Sequence, residues 1–170
     1  MFVGRLDEYK GVPFLISFWK KHRPGKLVIF GDGEFRDFVM KNADGETIVY
    51  RGFQPKEVLE GEAQSATALV FSSECYEGYP MTVIESFLWG LPVVATNLGS
   101  AGQMVQDGVN GYKFRLRDEE SLLLALQKVQ SDGEALRKST LDYYWNHMVS
   151  AEDNYQCLAS IYARLIRCRK

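Results

Sequence analysis

Short apolar runs recur along this chain, and each is followed by a polar turn and then by residues suited to a helix. The runs are Phe2-Val3, Lys26 to Phe30, Thr47 to Tyr50, Ala68 to Phe71, Pro92 to Ala95 and Tyr112 to Phe114. Runs this short and this apolar read as buried strands. Helices are expected from Gly11 to about Lys21, Glu34 to Lys41, Lys56 to Gln64 and Met81 to Trp89. About six such alternations predict an α/β fold, a Rossmann-like parallel sheet with helices on both faces. Right-handed crossovers then place the loops that follow the strands along one edge. From Glu119 onward the chain reads as helix. Leu122, Leu123, Ala125, Leu126 and Val129 form one apolar face, and Gly133 interrupts it. A last helix, with a capping-box-like start at Ser150 to Asp153, carries Tyr155, Leu158, Tyr162, Leu165 and Ile166 on one stripe. Arg164, Arg167, Arg169 and Lys170 make its end basic, which suits a helix C-terminus.

Composition narrows the function. The chain has 170 residues, a formal net charge of -2, 46% hydrophobic and 25% charged residues. That is a globular balance with no electrostatic case for nucleic-acid binding. No apolar run reaches the ~18 residues that span a bilayer. Arg5, Asp7, Glu8 and Lys10 arrive too early for a signal peptide. Cys75, Cys157 and Cys168 are odd in number and lack CxxC spacing, so reduced thiols in a cytoplasmic compartment are expected, with Cys75 a small buried filler. His22 and His147 receive no catalytic role.

The most informative stretch is Phe71 to Thr96, FSSECYEGYPMTVIESFLWGLPVVAT. It reads as strand end, polar loop, helix and next strand. Pro80 suits a first helical turn, and Gly90 suits a helix end. The backbone N–H groups of Met81, Thr82 and Val83 would be free at that helix start, an anion site. Glu77 and Glu85 lie beside it. Carboxylates would repel an anion but accept from hydroxyl groups. A ligand with phosphates flanked by hydroxyl-rich rings, such as a nucleotide sugar, satisfies both demands.

Glu77 and Glu85 in the context YEGYPMTVIESFLWGLPVVAT closely resemble the signature of retaining glycosyltransferases of family four, which have the GT-B fold. The chain resembles the nucleotide-sugar half of such an enzyme over nearly its whole length. The resemblance implies several roles. The family has Arg and then Lys five residues on, just after the first strand of this domain, and Arg5 and Lys10 match them after Gly4. They would grip the donor diphosphate, a fork and a mobile point charge. The loop after the third strand would receive the base, with Arg51 or Phe53 stacking and Gln54 bonding its edge. Phe53 is equally a core candidate. Glu85 would accept from the ribose hydroxyls. Glu77, with Gly78 beside it, would accept from the sugar near its anomeric carbon. Met81, Thr82 and Val83 would donate backbone N–H groups to phosphate oxygens. Arg5, Lys10 and Glu77 are the catalytic candidates.

Gly31-Asp32-Gly33-Glu34 allows three readings. Gly31-x-Gly33 hints at a dinucleotide fingerprint, but Arg36 stands where a third Gly is wanted. Asp32-x-Glu34 hints at a metal-binding acid pair. The resemblance implies the glycine-acid-glycine turn of the GT-B donor domain, with Gly31 and Gly33 letting backbone approach the ligand and no metal or other cofactor. Two departures from the family stand at Gly102 and Gln103, where many relatives have Pro and Glu. The turn Asp107-Gly108-Val109-Asn110-Gly111 matches the family and needs only backbone geometry.

The expectation is a single donor-binding domain over residues 1–170, one half of a GT-B enzyme, with the acceptor-binding amino-terminal domain absent because the first strand begins at Met1 or Phe2. Partners implied are a nucleoside diphosphate sugar, expected to be a UDP-sugar, the missing domain, and a lipid-linked or glycan acceptor at the inner face of the membrane, as in polysaccharide or lipopolysaccharide assembly. A binding module without catalysis is the alternative. Apolar residues on the last helix also raise self-association as an expectation.

Overall fold

The computed structural model describes residues 1–147 and 151–167. Ser150, Cys168, Arg169 and Lys170, and the side chains of Leu165 and Arg167, lie outside the described residues. The strands are β1 (Phe2–Val3), β2 (Leu27–Phe30), β3 (Ile48–Gly52), β4 (Leu69–Phe71), β5 (Val93–Thr96) and β6 (Gly111–Phe114). The helices are α1 (Val12–His22), α2 (Arg36–Asn42), α3 (Lys56–Ser65), α4 (Met81–Leu88), α5 (Gly99–Met104), α6 (Glu119–His147) and α7 (Ala151–Arg167). Every paired strand runs parallel, as the apolar runs predict. The ladders form two three-stranded units, β1-β2-β3 and β4-β5-β6. They abut where the Val70 N–H donates to the Met1 carbonyl at 2.8 Å. The composite order is therefore 3-2-1-4-5-6, with the reversal of strand order between β1 and β4. In such sheets ligands bind outside the carboxyl ends of the strands at that reversal.

Alternation along each strand divides the core into two layers. Leu27, Ile29, Val70 and Val94 face one layer with α1 and the first part of α6. Phe30, Leu69, Phe71, Val93 and Ala95 face the other, with Val83 and Phe87 of α4 and Ala101 of α5. Gly133 (φ 48°, ψ −130°) breaks α6, and residues beyond the break reach the second layer through Tyr143 and Tyr144. Asn110 explains its turn: it is buried, donates to the Met104 carbonyl at 3.0 Å and accepts from the Gln106 N–H at 2.7 Å. On α7, Tyr155, Leu158, Tyr162 and Ile166 are exposed.

Helix α5 was not legible in the sequence as a helix, since GSAGQM carries two glycines and no apolar period. Cys75 is half-buried with its Sγ 3.6 Å from the Ser73 hydroxyl, so it is not the enclosed filler its residue type suggests. No described helix is long and apolar enough to cross a membrane.

The Met1 amino group is enclosed and donates to the Ala68 carbonyl at 2.6 Å. Burial strips its ammonium form of water and pushes its pKa from 8.0 down to about 5, partly opposed by the Glu62 carboxylate. In a polypeptide that starts at Met1, the unfolded state then holds more protons than the folded state between those two values. Stability should therefore rise with pH across that window, by at most roughly 4 kcal/mol. Acetylation of the amino terminus should flatten the slope in urea unfolding. A cavity of about 330 Å³ lined by Met1, Trp19, Lys26, Glu62 and Ala68 leaves room for the acetyl group. A slope that survives acetylation would assign the effect to another group.

Candidate functional site

The loop after β1 carries the first two cations. Arg5 donates through Nε to Asp7 Oδ2 at 2.6 Å. The other Asp7 oxygen accepts from the Lys10 N–H at 2.8 Å. Asp7 is buried, whereas the Arg5 side chain is 72% exposed, so its outer nitrogens face solvent. Asp7 thus fixes the loop between the two cations. Sequence reasoning missed it because an acid among Arg5, Glu8 and Lys10 looks like a solvated turn residue.

The loop after β4 meets this one directly. Lys10 Nζ lies 2.6 Å from Glu77 Oε1, with both side chains only about one-fifth exposed (21% and 19%). Lys10 also stands 5.5 Å from the centre of the Phe71 ring. Three hydroxyl groups tie the loops together. Ser72 Oγ donates to the Lys10 carbonyl and Ser73 Oγ to the Tyr9 carbonyl, at 2.9 and 3.2 Å, and Thr96 Oγ1 donates to the Ser73 carbonyl at 2.7 Å. The Ser100 hydroxyl, at the start of α5, reaches the carbonyls of Glu77 and Gly78 at 2.7 and 2.5 Å. Ser100 holds the backbone on either side of the Glu77–Gly78 bond. It was invisible in the sequence because α5 was. A Cβ on Gly78 would meet nothing within 4 Å, so packing does not account for that glycine.

Helix α4 starts at Met81, as its sequence predicts. The three free donors expected there reduce to two, because the Val83 N–H donates to the Pro80 carbonyl at 3.0 Å and the Val83 side chain is buried. Among the described residues the N–H groups of Met81 and Thr82 have no partner in the protein. Glu85, one turn on, lies 3.5 Å from Lys56 Nζ at the start of α3.

A cavity of about 370 Å³ opens beside Arg5 and is lined by Val3, Gly4, Phe30, Gly31, Asp32, Phe53, Gln54 and Leu59. Phe53 is 78% exposed at its rim, which rules out the core alternative. Gln54 donates its amide N–H to the Arg51 carbonyl at 2.8 Å, and among the described residues its carbonyl oxygen has no hydrogen-bond partner. The glycine turn has a structural role as well. A Cβ on Gly31 would sit 1.8 Å from the Gly4 carbonyl oxygen, and one on Gly33 2.5 Å from that of Leu6. These glycines let two backbone loops approach each other, and Gly31 also lines the cavity. Tyr50 Oη holds the Gly31 carbonyl at 3.0 Å, and burial, then Asp32, raises the Tyr50 pKa. Among the described residues no three or more His, Cys, Asp or Glu side chains converge as metal ligands.

Lys10 and Glu77 are therefore in contact, Arg5 opens the cavity that Phe53 and Gln54 rim, and Glu85 joins the adjacent loop through Lys56. A doubly wound sheet with this cluster at its reversal point is a Rossmann-like unit, and the reversal point is where such sheets bind ligands. The chain belongs to the family described as Glycosyl transferases group 1, whose model matches residues 1–132. It is 30% identical over 139 residues to an uncharacterized glycosyltransferase of Methanocaldococcus jannaschii, covering 78% of this chain and 35% of that protein. It is 31% identical over 112 residues to the lipopolysaccharide 1,6-galactosyltransferase of Escherichia coli, covering 61% and 30%. Its fold matches the crystal structure of Anabaena HepE in complex with UDP at a TM-score of 0.77, with 19% identity, over 95% of this chain and 48% of that one. The chain spans about a third of the length of these curated relatives.

Proposed function

We propose that this chain is the donor-binding half of a retaining glycosyltransferase that uses a UDP-sugar, a single domain acting with an acceptor-binding domain. The observation that carries this reading is the Lys10–Glu77 contact, a cation suited to phosphate held against an acid suited to sugar hydroxyls, beside the Arg5 cavity. The UDP held by the similar HepE structure supports the choice of nucleotide.

The uracil lies in the cavity against Phe53, with the free Gln54 carbonyl at its edge. Glu85 turns from Lys56 to accept from the ribose hydroxyls. Arg5, Lys10 and the N–H groups of Met81 and Thr82 hold the diphosphate. As the bond to the sugar breaks, negative charge grows on the leaving phosphate, and Arg5 and Lys10 neutralise it. Losing one such contact in a water-poor site costs ~3 kcal/mol in the barrier, roughly a hundredfold in rate. Glu77 accepts from sugar hydroxyls and faces the positive charge building at the anomeric carbon. The two cations do the work of a metal ion, so no metal is needed. The acceptor, a glycan or lipid-linked sugar at the cytoplasmic membrane face, approaches from the side of the partner domain.

Calorimetric titration with UDP and a panel of UDP-sugars tests this. UDP should bind, EDTA should leave its affinity unchanged, and amide resonances of residues 4–10, 53–54 and 77–85 should move. Binding confined to other residues, or lost with EDTA, would defeat the reading.

A further inference from the structure

The loop that carries Glu77 is held by a second ion pair, which the reaction above does not use. Glu74, three residues upstream, has a side chain only 11% exposed. Its N–H donates to the Tyr9 carbonyl at 2.7 Å. Its Oε2 accepts two bonds from Arg117, from Nε at 2.8 Å and from Nη2 at 2.5 Å. Two donors from one guanidinium fix orientation as well as distance.

Arg117 lies in the turn between β6 and α6, far along the chain from Glu74. Its φ is +55°. Only one other described non-glycine residue has a positive φ, Arg23, at the C-cap of α1, where that conformation is common. Arg117 caps no helix C-terminus. Glycine would adopt this backbone at lower conformational cost. Strain of this sort persists where the surroundings over-determine it, and it concentrates at functional sites. The turn is tied by hydrogen bonds on both sides of Arg117. Asp118 accepts from the Ser121 N–H at 2.8 Å and from Arg115 Nε at 2.7 Å, and its own N–H donates to the Arg115 carbonyl at 3.0 Å. The left-handed conformation therefore delivers a guanidinium from a fixed base to a mostly buried carboxylate on the Glu77 loop.

We propose that Arg117, acting through Glu74, is a positioning residue that holds the 72–78 loop so that Glu77 meets the sugar of the donor. The inference rests on the donor-site reading above. It separates the affinities of UDP and UDP-glucose, which usually move together. Arg117→Gly relieves the backbone but strands the mostly shielded Glu74 carboxylate, so the two effects oppose each other and the melting temperature should fall only modestly, with the fold retained. UDP is held mainly by other loops, and its affinity should stay within about twofold. UDP-glucose should lose roughly tenfold, because a displaced carboxylate contacts the sugar poorly. Glu74→Gln should show the same split, and Arg117→Lys should recover part of the loss by keeping a cation in place.

An Arg117→Gly chain that binds UDP-glucose like the wild type, or loses both ligands alike, would overturn the proposal. A readout without ligand keeps it separate from the donor-site reading. In the free protein, Arg117→Gly should shift the amide resonances of residues 72–78. Unmoved resonances there would refute the clamp whatever the protein binds. A wild-type chain that binds no UDP, with those resonances shifted, would refute the donor site and leave the clamp standing.

Discussion

Gly31→Ala should destabilise the fold by about 4 kcal/mol in urea unfolding, among the largest effects a single methyl group can have. Gly31 has φ +135°, outside the range alanine adopts without strain. Its added Cβ would also lie 1.8 Å from the Gly4 carbonyl oxygen, a backbone atom that no rotamer change can move. Relief would require separating the loops after β1 and β2. That separation breaks the bonds from Gly4 N–H to the Phe30 carbonyl (3.1 Å) and from Leu6 N–H to the Asp32 carbonyl (2.9 Å). Gly45→Ala is the matched control. Gly45 has φ +80°, and a methyl group added there would meet nothing within 4 Å. Only the conformational cost remains, about 1 kcal/mol. Equal losses at the two sites would show that the loops yield to each other freely. Gly4 and Arg5 move with the strained loop, so the folded fraction of Gly31→Ala should also bind UDP weakly.

This glycine shows where sequence and structure diverge. A Gly-rich turn after a strand suggests a ligand against the backbone; Gly31 does line the cavity, but only coordinates show the second loop packed against it. The strands, by contrast, are legible because each is a short apolar run whose alternate residues face opposite layers. Glu77, in the loop before α4, and Glu85, on α4, are legible through their joint resemblance to the family signature. The sequence also places Arg5 and Lys10 on the edge where they are found. What escapes it depends on contacts between distant segments. Asp7 reads as a surface acid until its two oxygens are seen to hold Arg5 and the Lys10 backbone. Ser100 matters only because α5, six residues with little helical preference of their own, is folded against the Glu77 loop. Arg117 carries no mark in the sequence, since neither its positive φ nor its partner Glu74 can be read from neighbours in the chain.

Glu77→Ala should move the affinities of UDP and a UDP-sugar in opposite directions. Sequence reasoning alone predicts that UDP is spared, because Glu77 is assigned to the sugar. The structure adds a competing contact. In the free protein Glu77 holds Lys10 at 2.6 Å, with both side chains largely shielded from water. UDP must draw Lys10 away and leave a shielded carboxylate near an incoming diphosphate. An uncompensated charge in such a place is costly. Alanine removes both penalties, so UDP should bind roughly threefold to tenfold more tightly. A UDP-sugar restores partners to Glu77 through its hydroxyl groups, so the mutant should lose that compensation and bind it roughly tenfold more weakly. Lys10→Ala should weaken both ligands, since it removes a phosphate contact and strands Glu77. Glu85→Ala should weaken both as well, because both carry the ribose. Calorimetry on the four chains with UDP and UDP-glucose distinguishes the cases. Parallel losses for both ligands in Glu77→Ala would mean that the acid merely supports the loop. Opposite shifts would mean that the free site is held closed by its own ion pair and that the sugar, not the nucleotide, supplies the exchange partner that opens it.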